Sequence, residues 1–236
     1  MKLPKHLFVF FLCLCGARAA TAQTADEIVT KYIAAIGGKE AWKKVSSLKL
    51  EAVIDENGTE VHATDYIIHN KGFRETISFS GLSGYRIVTP TEGWVFYPWA
   101  DQLKPEATTA EELKESQSQL DIQGPLLDYK GKGNTIEYVG TDDFEGTDCL
   151  KLKLTQKSGV VTTYYIDPSN YLIIHSVTIT KANGREQESK TDYSNYQKLP
   201  EGIWIAMTLG SGDSPYKIKK VEINPQLDDA LFKPGK

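Results

Sequence analysis

The sequence predicts an α+β fold that is mainly antiparallel β: one large curved sheet with helices on one face. Most of the chain alternates apolar and polar residues with the period of two that a half-buried strand requires. Turn sequences such as Asn57-Gly58 and Asp167–Asn170 join the alternating segments as hairpins. No repeat or linker divides the chain, and we expect about 10 to 12 strands with two or three helices. A sheet of that size must curl or split, and the concave side of a curled sheet forms a trough.

Residues 1–22 have the composition of a cleavable secretory signal peptide. Lys2 and Lys5 give a basic start, residues 7–14 form an apolar run, and Ala20-Thr21-Ala22 is a small-residue cleavage site. The apolar run is about half the roughly 20 residues that a membrane-spanning helix needs, which favours cleavage over an uncleaved anchor. We therefore expect an exported protein whose mature part, residues 23–236, is a single domain without a transmembrane segment.

The mature domain is acidic and contains a single cysteine. Without Lys2, Lys5 and Arg18 it has 24 basic and 31 acidic residues, a net charge of −7. That charge gives it no electrostatic reason to bind nucleic acid or an anionic membrane surface. Because Cys149 is the one cysteine left, the mature chain cannot form an internal disulfide, and the apolar core must hold the fold.

The first half of the mature chain predicts a helix, a series of hairpins and a second helix. Thr24 to Glu27 is a capping box. Apolar residues at four-residue spacing from Ile28 to Ile36 predict an amphipathic helix, and Gly37-Gly38 ends it. Alternation with a period of two predicts strands over residues 48–97. A second capping box, Thr109 to Glu112, begins a helix that extends to about residue 119.

Strands resume near residue 134 and continue almost to the C-terminus. Leucine alternates with lysine over residues 150–154, and residues 216–223 form the last predicted strand. Four apolar residues of the strand before it share one face: Ile203, Ile205, Met207 and Leu209.

Catalytic signatures are scarce, and no metal or cofactor is predicted. The zinc-protease, nucleophile-elbow, Walker A and dinucleotide-binding motifs are missing. His62 and His69 are an odd number of residues apart, so a regular strand places them on opposite faces. His175 has the parity of Ile173, which predicts a hydrogen-bonded histidine on the apolar side in preference to a catalytic base. The acidic cluster Asp142–Glu145 is typical of a solvated turn, with acid–base or calcium chemistry as the less favoured alternative.

Apolar and aromatic residues give the stronger functional signal. All 4 tryptophans and all 12 tyrosines belong to the mature chain. Two or three short helices cannot cover the concave face of about ten strands, and uncovered apolar surface in an exported protein indicates a ligand.

Four segments of the mature chain support a resemblance to a known family. They are an opening helix with its glycine stop, two strands rich in aromatic residues, a hairpin with an aspartate at its turn, and the C-terminal ending: Ala25–Glu40, Gly72–Arg74 with Glu92–Pro98, Tyr164–Leu172, and Ile223–Phe232. In these segments the chain resembles the LolA-like periplasmic proteins, the outer-membrane lipoprotein-sorting proteins of Gram-negative bacteria. The resemblance implies a single half-barrel of antiparallel strands whose concave face is covered by helices and holds acyl chains. It also implies a periplasmic location, and we expect a monomer.

The resemblance and the strand pattern together suggest five ligand-binding residues. The family's carriers use an arginine near the cavity to hold the lid closed, and the motif implies Arg74 for this role, with Arg86 close by. Strand parity leaves open which face is concave. The predicted contacts within the trough are Trp94, Phe96, Ile205 and Met207.

The predicted function is that of a non-enzymatic periplasmic carrier that binds the acyl chains of lipids or lipoproteins. The first alternative is an envelope sensor, or a peptide- or protein-interaction module on the same fold, with envelope proteins as partners. The second alternative is a small secreted hydrolase that uses His175 or the Asp142–Glu145 cluster.

Overall fold

One antiparallel sheet dominates the computed structural model, which describes residues 24–182, 185–210 and 212–235. The predicted signal peptide, residues 1–22, lies outside this part of the chain. The described residues contain 13 strands. They are β1 (Ser47–Glu56), β2 (Thr59–Ile68), β3 (Gly72–Phe79), β4 (Leu82–Val88), β5 (Gly93–Phe96), β6 (Glu106–Ala107), β7 (Thr135–Phe144), β8 (Thr147–Thr155), β9 (Val161–Ile166), β10 (Ile173–Ala182), β11 (Arg185–Lys198), β12 (Trp204–Gly210) and β13 (Tyr216–Ile223).

The helices are short and begin at the predicted capping boxes. They are α1 (Ala25–Ala35), α2 (Lys39–Lys43) and α3 (Ala110–Ser116), with 3-10 turns at Pro98–Ala100, Gln117–Leu120 and Asp229–Phe232. In α1, the Glu27 amide donates to Thr24 Oγ1 at 3.2 Å and the Thr24 amide donates to Glu27 Oε2 at 2.8 Å. Thr109 and Glu112 make the same reciprocal bonds at the start of α3. Both capping-box predictions are confirmed.

The order of the strands shows how the chain builds the sheet. From β1 the chain runs outward through successive hairpins to β6 at one edge, crosses to β7 at the other edge, and returns hairpin by hairpin to β13. There β13 pairs with β1, with Leu48 opposite Ile223. The predicted curved antiparallel half-barrel is confirmed, with the two-residue β6 bringing the sheet slightly above the expected number of strands.

The helices and the crossing segment cover one face of the sheet, which we call the inner face. Ile28 and Val29 of α1 pack against the β8 side chains of Leu152 and Leu154. At the other end of this cover, Leu120 packs on Phe73 and Val88. The core therefore lies between the inner face and a thin layer made of α1, α2, α3 and residues 117–129.

The outer face is covered in one place by the C-terminal 3-10 turn. Phe232 of this turn is buried in a cluster with Tyr85 and Ile87 of β4. Gly72 at the start of β3 allows the approach, since a Cβ on this residue would lie 2.5 Å from Phe232 Cγ. The Phe232 ring of the C-terminal segment therefore packs directly on the backbone of Gly72.

Substituting Gly72 with alanine should destabilise the protein by about 1–3 kcal/mol, because the added methyl group forces the Phe232 ring out of its position. Urea unfolding measures the loss. In the Phe232→Ala background the same substitution should cost less, with a coupling energy of about 1 kcal/mol or more. Simple additivity of the two changes would contradict this packing.

Candidate functional site

An apolar cavity of about 300 Å³ lies between the inner face and its helical cover. Tyr32, Ile36 and Trp42 form the helical wall. The sheet contributes mainly aliphatic residues from β1, β12 and β13: Leu48, Leu50, Ile205, Ala206, Leu209 and Ile218. The crossing segment closes a third side with Ile122, Leu126 and Leu127. The volume is at the lower end of the range of about 300–1,000 Å³ that is typical of small-molecule sites.

The end of α1 is fixed against the sheet, which holds the helical wall over the cavity. The Trp42 indole N–H and the Trp204 amide both donate to the Ile36 carbonyl, each at 2.9 Å. Gly37 has a φ of 108°, and a Cβ there would collide with the Gly202 carbonyl oxygen. Glycine is therefore needed at this position both for its backbone conformation and for the close approach.

Four tyrosines gather at one side of the cavity: Tyr32, Tyr164, Tyr193 and Tyr196. Burial is the main cause that raises the pKa of each phenol above its ordinary value, so all four stay neutral at physiological pH. The Tyr196 hydroxyl donates to the Ile173 carbonyl at 2.8 Å, and the Tyr193 hydroxyl shares a 3.1 Å hydrogen bond with Ser176 Oγ. This side offers neutral hydrogen-bonding groups at the edge of an otherwise apolar space.

A row of charged residues lies on the same inner face beside the cavity. Asp65, Glu75 and Arg86 are directly opposite one another on β2, β3 and β4. Arg86 Nη2 lies 3.5 Å from Glu75 Oε2. Burial, followed by the nearby Glu75 carboxylate, raises the pKa of Asp65 to about 7. The side chains of the inner face are therefore apolar where they line the cavity and carry two carboxyl groups beside it.

The structure separates the five predicted ligand residues into two groups. Ile205 lines the cavity, and Met207 is buried in a cluster that also contains the lining residues Ile205 and Leu209. Arg74, Trp94 and Phe96 lie on the outer face and do not line this cavity.

Strand register explains this separation. Arg74 is opposite Ile87, and Ile87 is opposite Trp94, in the outer-face cluster with Phe232. The Arg74 guanidinium donates to the Leu231 carbonyl at 3.0 Å and lies 4.3 Å from the centre of the Tyr85 ring. Of the two arginines considered in the sequence analysis, Arg86 lies on the inner face and Arg74 on the outer face. Arg74 holds the C-terminal turn in place.

Sequence reasoning missed most of the residues that form the cavity. The helical stripe at Tyr32 and Ile36 and the alternation of Leu48 and Leu50 could have pointed to lining positions. The contributions of Tyr193 and Tyr196 carry no such local signal. Asn195 between them has a φ of 54°, which departs from regular strand geometry, and both tyrosines line the cavity.

His175 lies on the outer face, and the prediction that it points to the apolar side is wrong. The pairing of β9 with β10 shifts between Ile173 and His175, which reverses the parity that the sequence suggests. The hydrogen-bonded state is confirmed, since His175 Nδ1 lies 2.6 Å from Asp192 Oδ1. The imidazole also stacks on the Phe144 ring at 4.3 Å and meets the Tyr165 ring at 5.1 Å.

The acidic cluster Asp142–Glu145 spans the exposed end of β7 and the turn that leads to β8. Asp142 pairs with Lys151 at 2.9 Å, and Asp143 accepts a hydrogen bond from the Gly146 amide. Within residues 24–182, 185–210 and 212–235, no group of three metal-ligating side chains comes together. Cys149 is a free, fully buried thiol, although its strand parity matches that of the half-buried Lys151 and Lys153.

Solved structures share this architecture. A LolA superfamily protein from Nitrosomonas europaea superimposes with a TM-score of 0.57, covering 90% of this chain and 98% of its own at 14% identity. The two proteins share one fold. A DUF1329 family protein from Desulfovibrio piger gives a TM-score of 0.56, with 14% identity and the same coverages. A domain described as an outer membrane lipoprotein-sorting protein domain, from Vibrio parahaemolyticus, gives 0.50 at 12% identity, covering 88% of this chain and 97% of its own.

The likeness is structural and is not visible in sequence comparisons. No protein-family model matches the chain. No curated protein matches it in sequence either. In the part of the chain that the structure describes, no helix is long and apolar enough to cross a membrane.

Proposed function

We propose that the protein is a periplasmic carrier that binds the acyl chain of a lipid or lipoprotein. The observation that carries this proposal is the apolar cavity of about 300 Å³ between the inner face and the helical cover. Burial of each methylene group there contributes about 0.8 kcal/mol, so a chain of ordinary length supplies enough energy for binding. The small volume favours one acyl chain over several. Export through residues 1–22 is part of the same proposal.

The shared fold supports the choice of ligand class. One structure with this architecture is described as a lipoprotein-sorting domain, and its fold covers almost all of both chains. The helical cover is thin, and the Ile36 carbonyl accepts one hydrogen bond from the Trp42 indole, which links α1 to α2, and one from the Trp204 amide, which links α1 to the sheet. A cover of this kind can move away from the sheet as a unit, which a carrier needs for loading and release.

Filling the cavity should abolish most acyl binding. Ile205 is partly exposed to the cavity, and Ile205→Trp places an indole where about three methylene groups would lie. The lost burial of about 2.4 kcal/mol corresponds to roughly a 50-fold weaker dissociation constant. Fluorescence titration with a dansylated C11 fatty acid, on protein first stripped of lipid, measures this change.

Val139→Trp is the matched control. Val139 lies on the edge strand β7, is 40% exposed, and does not line the cavity, so this variant should bind the probe as the wild type does. Equal binding by wild type and Ile205→Trp would contradict the carrier proposal. A protein that binds no acyl probe but purifies with a stable envelope partner would favour the interaction-module alternative.

A further inference from the structure

The polar row on the inner face begins directly beside the cavity wall. Leu50, which lines the cavity, is opposite Asp65 in the pairing of β1 with β2. Directly opposite side chains on one face of an antiparallel pair have Cβ atoms about 4.5–5.5 Å apart. The Asp65 carboxyl therefore lies about one residue spacing from the apolar space.

A second connection ties Asp65 to the cavity. Its Oδ2 accepts a 2.9 Å hydrogen bond from the Tyr216 hydroxyl, and Tyr216 is opposite the lining residue Leu209 in the pairing of β12 with β13. Asp65 and Tyr216 thus stand between two residues of the cavity wall, Leu50 and Leu209.

Asp65 has an unused hydrogen-bond acceptor although it is buried. The residue is 9% exposed, and its Oδ1 has no hydrogen-bond partner among the described residues. Leaving a buried carboxylate oxygen without a partner destabilises the folded protein, so such atoms usually receive a donor from elsewhere. Tyr216 already supplies the one described donor to this carboxyl.

The charges around Asp65 favour a cationic donor. The groups that face it from neighbouring strands are Glu75 on β3, Arg86 on β4 and Tyr216 on β13. Arg86 is already engaged by Glu75 at 3.5 Å and lies over the Phe73 ring. Two carboxyl groups against one guanidinium leave an excess of negative charge at the edge of the cavity.

We propose that Asp65 binds the ammonium head group of an amphiphile whose acyl or alkyl tail occupies the apolar cavity. This inference rests on the proposed function, because the tail provides the binding energy and the cavity positions the head. An ammonium group donates up to three hydrogen bonds, satisfies the free Oδ1, and balances the excess charge. The ligand class is an aminolipid. A fatty acid would meet the Asp65 and Glu75 carboxyl groups with a charge of the same sign.

Competition with three single-chain amphiphiles of equal length tests this inference. Dodecylamine, dodecanol and dodecanoic acid are titrated at pH 8 against bound N-phenyl-1-naphthylamine, a fluorescent probe without a carboxylate, so that the probe itself does not respond to the charge of Asp65. Dodecylamine should displace the probe at roughly one-tenth of the dodecanol concentration, and dodecanoic acid should be the weakest competitor. In Asp65→Asn the amine should lose its tenfold advantage, while dodecanol competes as before.

The control and the pH series separate the possible failures. Asp192→Asn removes a carboxylate on the outer face that contacts His175, so this variant should keep the amine preference. In wild type at pH 5, Asp65 is protonated and neutral, so the advantage of dodecylamine over dodecanol should become smaller without any substitution. Equal competition by amine and alcohol, or a preference that persists in Asp65→Asn, would overturn the inference and leave acyl binding intact. Failure of all three amphiphiles and of the probe to bind would instead refute the carrier proposal itself.

Discussion

Replacing Trp42 with alanine should lower the free energy of unfolding by about 3–5 kcal/mol, the range for truncating a large buried aromatic side chain. Trp42 is 8% exposed and packs with Leu48, Leu127 and Ile203, which come from three different parts of the chain. Its indole N–H also donates to the Ile36 carbonyl, where α1 ends. The substitution removes both the packing and the link between the two helices of the cover.

Urea unfolding of the purified mature protein measures this loss. Trp42→Phe is the matched variant, since it retains much of the ring volume while it removes the N–H donor, and it should cost about 1–2 kcal/mol. A loss below 1 kcal/mol in Trp42→Ala would show that the cover is not held against the sheet by this residue. That result would remove the physical basis for a closed cavity.

The predictability of this fold depends on how local each signal is. The capping boxes at Thr24 and Thr109 and the Asn57-Gly58 hairpin are local, and the structure has all of them. The pairing of Leu48 with Ile223 joins residues that lie 175 positions apart in the chain, and no local pattern specifies it. The hairpins of the sheet could be predicted from local turn signals, whereas the pairing of β1 with β13, which joins the two halves of the sheet, could not.

The residues that line the cavity were harder to predict, because strand alternation identifies two faces of a sheet without saying which of them the helices cover. Trp94 and Phe96 share a face, as their spacing predicts, but that face is the outer one and packs against Phe232. These two residues are covered by the C-terminal turn, which lies far from them in the sequence. The aromatic residues of this region therefore belong to a second, outer core.

Local irregularities of the strand backbone explain the remaining differences. The register shift after Ile173 turns His175 to the outer face, and the positive φ of Asn195 brings Tyr193 and Tyr196 to the cavity. Neither position has a glycine or proline to mark it in the sequence. Strand parity predicts side-chain direction only between such irregularities.

The pH dependence of stability should change when Asp65 is replaced by asparagine. Burial and the adjacent Glu75 raise the pKa of Asp65 from an ordinary value of 3.8 to about 7. Between these two values the folded protein holds a proton that the unfolded chain has released. Stability contributed by Asp65 is therefore fully present below about pH 4 and is lost as the pH rises through about 7, at about 1.4 kcal/mol per pH unit.

The asparagine in Asp65→Asn cannot release a proton, so this variant should lack the part of the pH dependence of stability that comes from Asp65. Urea unfolding of both proteins at pH 5, 6, 7 and 8 should show that the wild type becomes progressively less stable relative to the variant, with the difference levelling off above pH 8. Tyr216→Phe offers a directional control. The Tyr216 hydrogen bond lowers the pKa of Asp65, so its removal should extend the loss of stability to higher pH. Parallel pH profiles for wild type and Asp65→Asn would contradict this prediction, because they would mean that Asp65 titrates alike in the folded and unfolded chains. A carboxyl group with that behaviour would be solvated, and the acidic edge of the cavity would then be open to water.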